Sequence, residues 1–265
     1  MSSGIFKPAN QLEEALVAAC TEPSARPEFY RLLLESDLFL LTPDAPEESG
    51  KRTLKESEMV SFVDFNGPNG LFLPIFSSQE RLQEAVNKMD RVYGFLVLRG
   101  KDLFPLLLQH SRPAVLNPGA AYGKELTPDE IRSLADGSVT NHERRVIQKA
   151  TQVLIGQPAK HPAELVANLQ KLFGKYPSVR AAYLGWIHDP ASEDPPHLIV
   201  GIECEGEMQS ITQAAGITSQ GLLGSGEFVD FIRVEDGQGS LDSYFKGQTK
   251  PFYKATAKKP FWKVW

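Results

Sequence analysis

The chain has 265 residues, of which 42% are hydrophobic and 23% are charged, and its formal net charge is −5 at pH 7. These proportions are those of an ordinary globular protein, so they exclude a disordered or fibrous chain, and the length is sufficient for two domains. No apolar run approaches the roughly 18 residues of a membrane span, and residues 1–7 lack the pattern of an export signal, so we expect a cytoplasmic protein.

Helix and strand signals alternate through the first half of the chain. Asn10 is a typical N-cap residue for the first helix, Pro27 suits the start of the second, and Ser77 with Glu80 has the spacing of a capping box. Pro74, inside a predicted strand, indicates an edge or an irregular pairing. In chain order we predict helices at 11–20, 28–35, 77–89 and 102–110 and after Thr127, and strands at 37–41, 59–65, 71–76, 92–98 and 114–116.

The second half predicts a separate and smaller domain. The polar stretch 136–149 is the expected boundary, and the order β-α-β-β-α-β that follows is typical of a ferredoxin-like fold. We therefore predict an α/β (α+β) protein, with a mixed-sheet domain over 1–140, a ferredoxin-like domain over 146–249 and a tail over 250–265. The predicted elements are strands at 151–155, 179–187, 198–203 and 228–234, and helices at 162–173, 208–215 and 241–245.

A loop after the strand at 114–116 resembles a phosphate-binding loop but departs from it. Gly119 and Gly123 are separated by three residues instead of four, and Glu125 follows Lys124 where a Ser or Thr hydroxyl would contact magnesium. Nucleotide binding is therefore excluded. Asn117, Gly119, Gly123 and Lys124 remain candidate binding residues for a small anion or an acidic peptide, although a purely structural turn explains the same residues.

A second candidate is the segment from His188 to His197, which places two histidines and three carboxylates within ten residues. These side chains suit zinc or manganese, although prolines and acids are also usual in a loop between two strands. The two cysteines, Cys20 and Cys204, lie far apart in apolar segments, and we expect buried, reduced thiols rather than a disulfide.

The tail is the basic part of an acidic chain. Residues 250–265 contain five lysines and no acid, which leaves 23 basic and 33 acidic residues in the body. The tail nearly repeats itself as KPFYK and KPFWK, and its contact candidates are the five aromatic residues Phe252, Tyr253, Phe261, Trp262 and Trp265. Docking on the body or on a second subunit, binding of a protein, and binding of nucleic acid or lipid all remain open, although the acidic body disfavours nucleic acid.

Several stretches resemble the SseB family, whose name records enhanced serine sensitivity. The similarity is carried by residues 10–36, by Leu73-Pro-Ile-Phe-Ser-Ser78, by the loop from Leu116 to Leu126, and by Leu198-Ile-Val-Gly-Ile-Glu203 with Pro251-Phe-Tyr253. The resemblance implies an SseB N-terminal domain followed by an SseB C-terminal domain. It implies no catalytic residue.

Because no catalytic signature accompanies this resemblance, we expect a non-catalytic protein-binding or regulatory module without a cofactor. The expected partner is a protein or a small metabolite, and the tail offers a route to a homo-oligomer. Two alternatives remain, namely a metal-dependent hydrolase that uses the His188–His197 loop, and an adaptor that binds nucleic acid or a membrane surface through the basic tail.

Overall fold

The computed structural model describes residues 6–43, 61–87, 89, 93–109, 112–137, 139, 153–190, 195–224, 227–236 and 240–255. The chain divides into two compact units, Met1–Thr140 and Asn141–Trp265, here called the N-terminal and C-terminal units. Both contain helices and a mixed sheet, which confirms the predicted α+β class. Among the described residues, no helix is long and apolar enough to cross a membrane.

The N-terminal unit is built on a six-stranded mixed sheet with the order β4-β1-β3-β5-β6, in which β2 pairs additionally with β3. The β3–β5 pair is parallel, and the other pairs are antiparallel. The helices are α1 (Gln11–Thr21), α2 (Arg26–Glu35), α3 (Gln79–Val86), α4 (Gly100–Leu107) and α5 (Pro128–Ala135), and the strands are β1 (Asp37–Thr42), β2 (Phe65–Gly67), β3 (Gly70–Phe76), β4 (Gly94–Arg99), β5 (Ala114–Leu116) and β6 (Lys124–Leu126).

The two faces of this sheet are covered unequally. Leu41 and Phe76 lie on one face and pack against Leu82 of the eight-residue helix α3. Leu38 and Leu40 alternate with Leu41 along β1, so they lie on the opposite face, where both are fully buried. Helices α1, α2, α4 and α5 pack against one another, and α4 also contacts β1 and β4. Among the described residues, the sheet face beneath α3 is therefore covered by fewer helices than the opposite face.

Local sequence signals explain most of the helix ends. The Asn10 side chain accepts a hydrogen bond from the Glu13 amide, as predicted, and Thr127 forms a complete capping box with Glu130 at the start of α5. The predicted cap of α3 was wrong by one residue, because Ser78 caps the helix through the Arg81 amide. Ser77 is displaced from that role because its hydroxyl bonds to residues that are distant in the sequence.

Pro74 lies in a central strand, so the edge alternative was wrong, but the pairing beside it is interrupted on one side. The amide of Leu73 and the carbonyl of Ile75 both bond towards β5. Because the direction of backbone groups alternates along a strand, the backbone nitrogen of Pro74 faces the other side. On that side β1 pairs only with Ile75 and Phe76, and the Leu41 carbonyl instead accepts a hydrogen bond from the Val63 amide. A residue without an amide hydrogen therefore costs the sheet no hydrogen bond here.

The C-terminal unit contains a five-stranded sheet with the order β10-β9-β8-β11, and β7 pairs with the far end of β8. The expected ferredoxin-like arrangement is not confirmed. In a split βαβ unit a third strand separates the two parallel strands, whereas here the parallel strands β9 and β10 are direct neighbours. The elements are β7 (Leu154–Gly156), α6 (Ala163–Phe173), β8 (Val179–His188), β9 (His197–Cys204), α7 (Gln209–Ser219), β10 (Val229–Arg233), α8 (Ser240–Gln248) and β11 (Tyr253–Lys254).

Each face of the second sheet has its own core. One face packs against α6 and α7 through a large apolar cluster, and the other packs against the fully buried ring of Phe245 from α8. Gly185 and Gly201 leave the space for this ring, because a Cβ atom at either position would lie 3.2 Å or less from a ring carbon. Both cysteines are free thiols, and Cys20 is exposed, because the buried side of α1 runs along Leu12, Ala15 and Leu16.

Candidate functional site

The most unusual group in the N-terminal unit is the Glu13 carboxylate, which is fully buried on the packed side of α1. It forms an ion pair with Arg81 of α3, with 2.9 Å between Nη2 and Oε2, and Arg81 Nε donates to Oε1 at 3.1 Å. Burying a charge is costly unless it is paired and hydrogen-bonded, and here both carboxylate oxygens have partners. The pair joins α1 to α3 directly.

Ser77 and Asn117 complete a buried polar cluster with this ion pair. The Ser77 hydroxyl donates to Glu13 Oε1 at 2.6 Å, and the Asn117 Nδ2 amide donates to the same hydroxyl at 2.8 Å. Asn117 Oδ1 in turn accepts the Ser77 backbone amide at 2.9 Å. The set Glu13, Ser77, Arg81 and Asn117 is called the Glu13 cluster below. It connects α1, the end of β3, α3 and the end of β5.

The residues that precede α1 close over the Glu13 cluster. The Ala9 amide donates to Glu13 Oε2 at 2.9 Å, and Arg81 Nη2 donates to the Lys7 carbonyl at 2.9 Å. The Arg81 guanidinium also lies 4.5 Å from the centre of the Phe6 ring, within cation–π range. Residues 6–9 therefore shield the ion pair.

The electrostatics of the cluster hold the carboxylate ionised. Burial alone would raise the pKa of Glu13, but hydrogen bonds from Arg81, Ser77 and the Ala9 amide lower it below its ordinary value. The same ion pair raises the pKa of Arg81. A carboxylate with a lowered pKa is a weak base, and the Ser77 hydroxyl beside it is itself buried. This chemistry favours a structural support over a catalytic pair.

Two clefts share lining residues with the cluster. The first, of about 560 Å³, is lined by Asn10, Ser36, Asp37, Phe39, Ser77, Ser78, Gln79, Glu80 and Gln83. Its charged lining residues, Asp37 and Glu80, are both acidic. Ser77 is thus shared between the floor of this cleft and the Glu13 cluster.

The second cleft, of about 370 Å³, lies between α3 and the loop after β5, and contains two of the predicted site residues. Asn117 has a φ of 52° and Gly119 a φ of 80°, so both adopt the left-handed conformation that Asn and Gly tolerate best. Gly123 is needed for another reason, because a Cβ atom there would lie 2.8 Å from the Leu116 carbonyl oxygen. Asn117 and Gly119 line the cleft together with Arg81 and Glu84.

Lys124 is not among the residues that line this cleft. Its ammonium group donates to Glu130 Oε1 at 2.8 Å and to the Glu125 carbonyl at 2.6 Å. Tyr30 donates to the same Glu130 oxygen at 2.8 Å. Burial would raise the pKa of Glu130, but the bonds from Lys124, Thr127 and Tyr30 lower it. Lys124 therefore holds α5 in place. The cation that lines the second cleft, beside the loop after β5, is Arg81.

The two histidines of the candidate metal segment lie on neighbouring strands but on different faces. His197 is the register partner of Ile187, so it shares the face of Ile187, and His188 points to the opposite face. His197 stacks on Phe228 at 4.1 Å and bonds Asp230 Oδ2 at 3.0 Å. Glu193 and Asp194 lie outside the described residues. In the described part, no group of three or more potential metal ligands occurs.

The first half of the tail is part of the C-terminal unit. Tyr253 and Lys254 form β11 on the edge of β8, Gln170 donates to the Phe252 carbonyl, and the Tyr253 hydroxyl donates to the Phe173 carbonyl at 3.2 Å. The Phe252 and Tyr253 rings lie about 6.3 and 5.8 Å from that of Phe173. The second-repeat candidates Phe261, Trp262 and Trp265 lie outside the described residues.

Sequence reasoning missed three members of the Glu13 cluster: Glu13, Arg81 and Ser77 in its bridging role. One signal was present, because Glu13 lies beside Leu12 and three positions before Leu16 on the buried side of a helix. An acid at such a position predicts a buried partner. Nothing in the local pattern identifies that partner as residue 81.

Comparison with known proteins finds one family along both units. Residues 12–133 match the family described as "SseB protein N-terminal domain", and residues 147–255 match "SseB protein C-terminal domain". The chain is similar to Protein SseB of Escherichia coli (strain K12) and to Protein SseB of Shigella flexneri, in each case 29% identical over 248 residues, or 92% of both chains. No solved structure matches. The Glu13 cluster lies within the first match, and β11 lies within the second.

Proposed function

This chain belongs to the SseB family, and from that premise and the Glu13 cluster we propose that it is a cytoplasmic, non-catalytic binding protein. Its N-terminal unit holds a partner in the two clefts beside the cluster. The partner is a protein segment or a small metabolite, and its binding contributes to the response to serine that the family name records.

The single observation that carries this proposal is that every polar group of the Glu13 cluster is satisfied internally. Glu13 has hydrogen bonds from Arg81, Ser77 and the Ala9 amide, and Asn117 is bonded to Ser77 through both ends of its side chain. A general base or a nucleophile needs access to substrate and a pKa near the working pH. A buried carboxylate with a lowered pKa meets neither condition, whereas it is well suited to fix the shape of two clefts.

The clefts supply the exposed chemistry that a binding role requires. Carboxylate, amide and hydroxyl groups surround Phe39 in the first cleft, and the left-handed loop at Asn117 and Gly119 forms a wall of the second. Such a mixture of an apolar surface and a few fixed polar groups is usual in binding sites. Since Lys124 is paired with Glu130, a binding role does not depend on capture of a phosphate by that lysine.

The metal-dependent hydrolase and the basic-tail adaptor have weaker support. His188 and His197 point to opposite faces of their sheet, and the aromatic residues of the first tail repeat are packed on α6. Metal analysis of the untagged protein tests the first alternative. Salt-dependent binding that is lost from a 1–255 truncation would favour the second.

Affinity purification from the native cell with mass spectrometry tests the proposal. We expect a partner that co-purifies with the wild-type chain and is lost from Glu80→Lys/Gln83→Lys, which changes two exposed residues of the first cleft, or from Ala120→Lys in the second. An exposed pair of the C-terminal unit, Lys171→Glu/Lys175→Glu, is the control. Equal recovery of all partners by wild type and both cleft variants would contradict the binding role assigned to the clefts.

A second readout addresses the link to serine. Cells that lack the gene would be complemented with the wild type or with the cleft variants and grown with and without excess serine. We expect the cleft variants to behave like the deletion and the control variant to behave like the wild type. Identical growth of all strains would remove serine from the proposal but would leave partner binding to the mass spectrometry.

A further inference from the structure

Among the described residues, strand β4 forms one edge of the N-terminal sheet, and a row of its backbone groups has no strand partner there. The Gly100 amide donates to the Ser36 carbonyl at 3.0 Å, which fixes the phase of the antiparallel ladder between β4 and β1. Bonded pairs alternate in such a ladder, so the amides and carbonyls of Phe95, Val97 and Arg99 point away from β1. Within the described ranges, no other strand pairs with this edge.

The side chains along this edge are also unusually apolar for exposed positions. Phe95 is 42% exposed and Val97 is 38% exposed. Phe95 is the register partner of Leu41 and Val97 that of Phe39, so both lie on the face beneath α3. Because α3 spans only eight residues and packs over Leu41 and Phe76, it does not cover them. Natural proteins usually protect such an edge with charges, prolines or bulges.

The exposed edge is continuous with the first cleft. The Phe39 ring lines that cleft and lies 6.1 Å from the Phe95 ring. The charged groups that line this cleft are the carboxylates of Asp37 and Glu80, and no cationic side chain lines it among the described residues. Arg99 is paired with Asp37 at 3.5 Å, which leaves Glu80 as the carboxylate best placed to meet a positive charge.

We propose that β4 accepts an extended segment of a partner protein by strand addition. The segment pairs with the outward backbone groups of Phe95, Val97 and Arg99, places alternate apolar side chains on Phe95 and Val97, and brings a lysine or arginine to Glu80. This inference rests on the proposed binding role and assigns it a class of partner. Strand addition draws its affinity from main-chain hydrogen bonds and its specificity from alternate side chains, and β4 offers both.

Charge selects this occupant over a second copy of the same edge. In a pair of two β4 edges the Arg99 of each copy is already paired with Asp37, so it does not supply the cation that Glu80 would meet. A basic and apolar segment supplies that cation itself.

Binding of a short synthetic peptide tests the proposal on the full-length chain. The probe is KTVTFTK, blocked at both ends, which has the valine, the phenylalanine and both lysines on one face and the three threonines on the other. In the antiparallel pairing, its phenylalanine and valine amides point to β4 and its threonine amides point away. N-methylation of the phenylalanine and the valine should weaken binding at least about tenfold, whereas N-methylation of the first two threonines should change it less than about twofold.

Protein variants locate the site. Val97→Pro removes one outward amide hydrogen and leaves the bonds to β1 in place, so it should weaken binding by about tenfold, whereas Val97→Thr keeps the amide and should bind nearly as well. Urea unfolding of both variants checks that they are folded, and NMR shifts of the 95, 97 and 99 amides report binding without any substitution. Glu80→Lys should weaken binding of KTVTFTK and improve binding of ETVTFTE.

Three outcomes would overturn the inference: no binding of the peptide to the full-length chain, equal binding of the two N-methylated forms, or indifference to Glu80→Lys. Self-association that Val97→Pro abolishes would assign the edge to a second copy instead and would also overturn it. The proposed function fails separately, since partners that depend on Ala120 or Gln83 but not on Val97 would support the clefts and reject strand addition.

Discussion

Glu13 and Arg81 stand 68 positions apart in the chain, and their side chains meet in an ion pair whose carboxylate is fully shielded from solvent. Isolated surface ion pairs contribute little to stability, but removal of one partner of a buried pair leaves an uncompensated charge. The N-terminal unit should therefore be sensitive to the loss of either partner.

Substitution of Glu13 by Ala should destabilise the protein by about 3 kcal/mol, because Arg81 loses its buried partner and the Ser77 hydroxyl loses its acceptor. Urea denaturation gives the change in free energy of unfolding. The control is Glu84→Ala, which removes the other, largely exposed partner of Arg81 and should cost less than about 0.5 kcal/mol. Similar costs for the two substitutions would contradict the special role of Glu13.

The protein should lose stability in acid because the Glu13 carboxylate becomes protonated. The folded state lowers the pKa of Glu13 below its ordinary value of 4.5, so its contribution is complete above pH 4.5 and is lost as the pH falls through the folded pKa. The free energy of unfolding, measured by urea at several pH values, should therefore drop below pH 4.5. In Glu13→Gln the free energy of unfolding should fall less over the same pH range. It should still fall to some extent, because the pKa of Glu130 is lowered too. Parallel curves for wild type and Glu13→Gln would refute the assignment.

Asn117 should reveal two separate contributions when it is replaced. Asn117→Ala loses the bonds to Ser77. It also leaves alanine in a left-handed conformation, which alanine tolerates less well than asparagine, so we expect a cost of about 3 kcal/mol. Asn117→Gly loses the same bonds without the backbone penalty and should be more stable than the alanine variant by about 1 kcal/mol. Thermal unfolding of both proteins measures the difference, and an alanine variant as stable as the glycine variant would exclude backbone strain.

Alanine substitutions at two glycines of the C-terminal unit, Gly201 and Gly247, should change stability in opposite directions. In Gly201→Ala the new Cβ would lie 2.6 Å from Val234 Cγ2 and 2.9 Å from a Phe245 ring carbon, so overpacking should cost about 1–3 kcal/mol. Gly247 lies in α8 with nothing within 4 Å of a new Cβ, so Gly247→Ala should stabilise by up to about 1 kcal/mol. Chemical denaturation of the two variants should give opposite signs, and the same sign for both would argue against the packing of Phe245.

Truncation should separate the two repeats of the tail. A chain that ends at residue 249 loses β11 and the contacts of Phe252 and Tyr253 with α6, so we expect it to be destabilised by about 2 kcal/mol or more. A chain that ends at residue 255 retains these contacts and should unfold at a higher urea concentration than the 1–249 chain. If the 1–249 chain were as stable as the full length, docking of the first repeat would not contribute to folding.

Most helices and strands could be predicted from local pattern, because their signals lie within a few residues. Asn10, Thr127 with Glu130, and the apolar stripe of α6 are examples, and each acts in the structure as its sequence context suggests. Asn117 and Gly119 could also be identified, because a left-handed turn favours these residue types.

The site itself required contacts that no local pattern contains. Ser77 has the spacing of a helix cap, but its hydroxyl is taken by Glu13 and Asn117, so the cap passes to Ser78. Lys124 follows a glycine as a phosphate-binding lysine does, yet Glu130 pairs with it. The C-terminal strand order likewise depends on which strands meet, and the same element order β-α-β-β-α-β is compatible with more than one sheet.

The Glu13 cluster also has a consequence for the timing of folding during synthesis. Glu13 leaves the ribosome early, with a charge on the side of α1 that must be buried, but Arg81 follows only after 68 further positions and Asn117 later still. Until both have emerged, docking of α1 would bury an unpaired carboxylate. We therefore expect the amino-terminal helix to dock only after residue 117 has been translated, when most of its unit has left the ribosome.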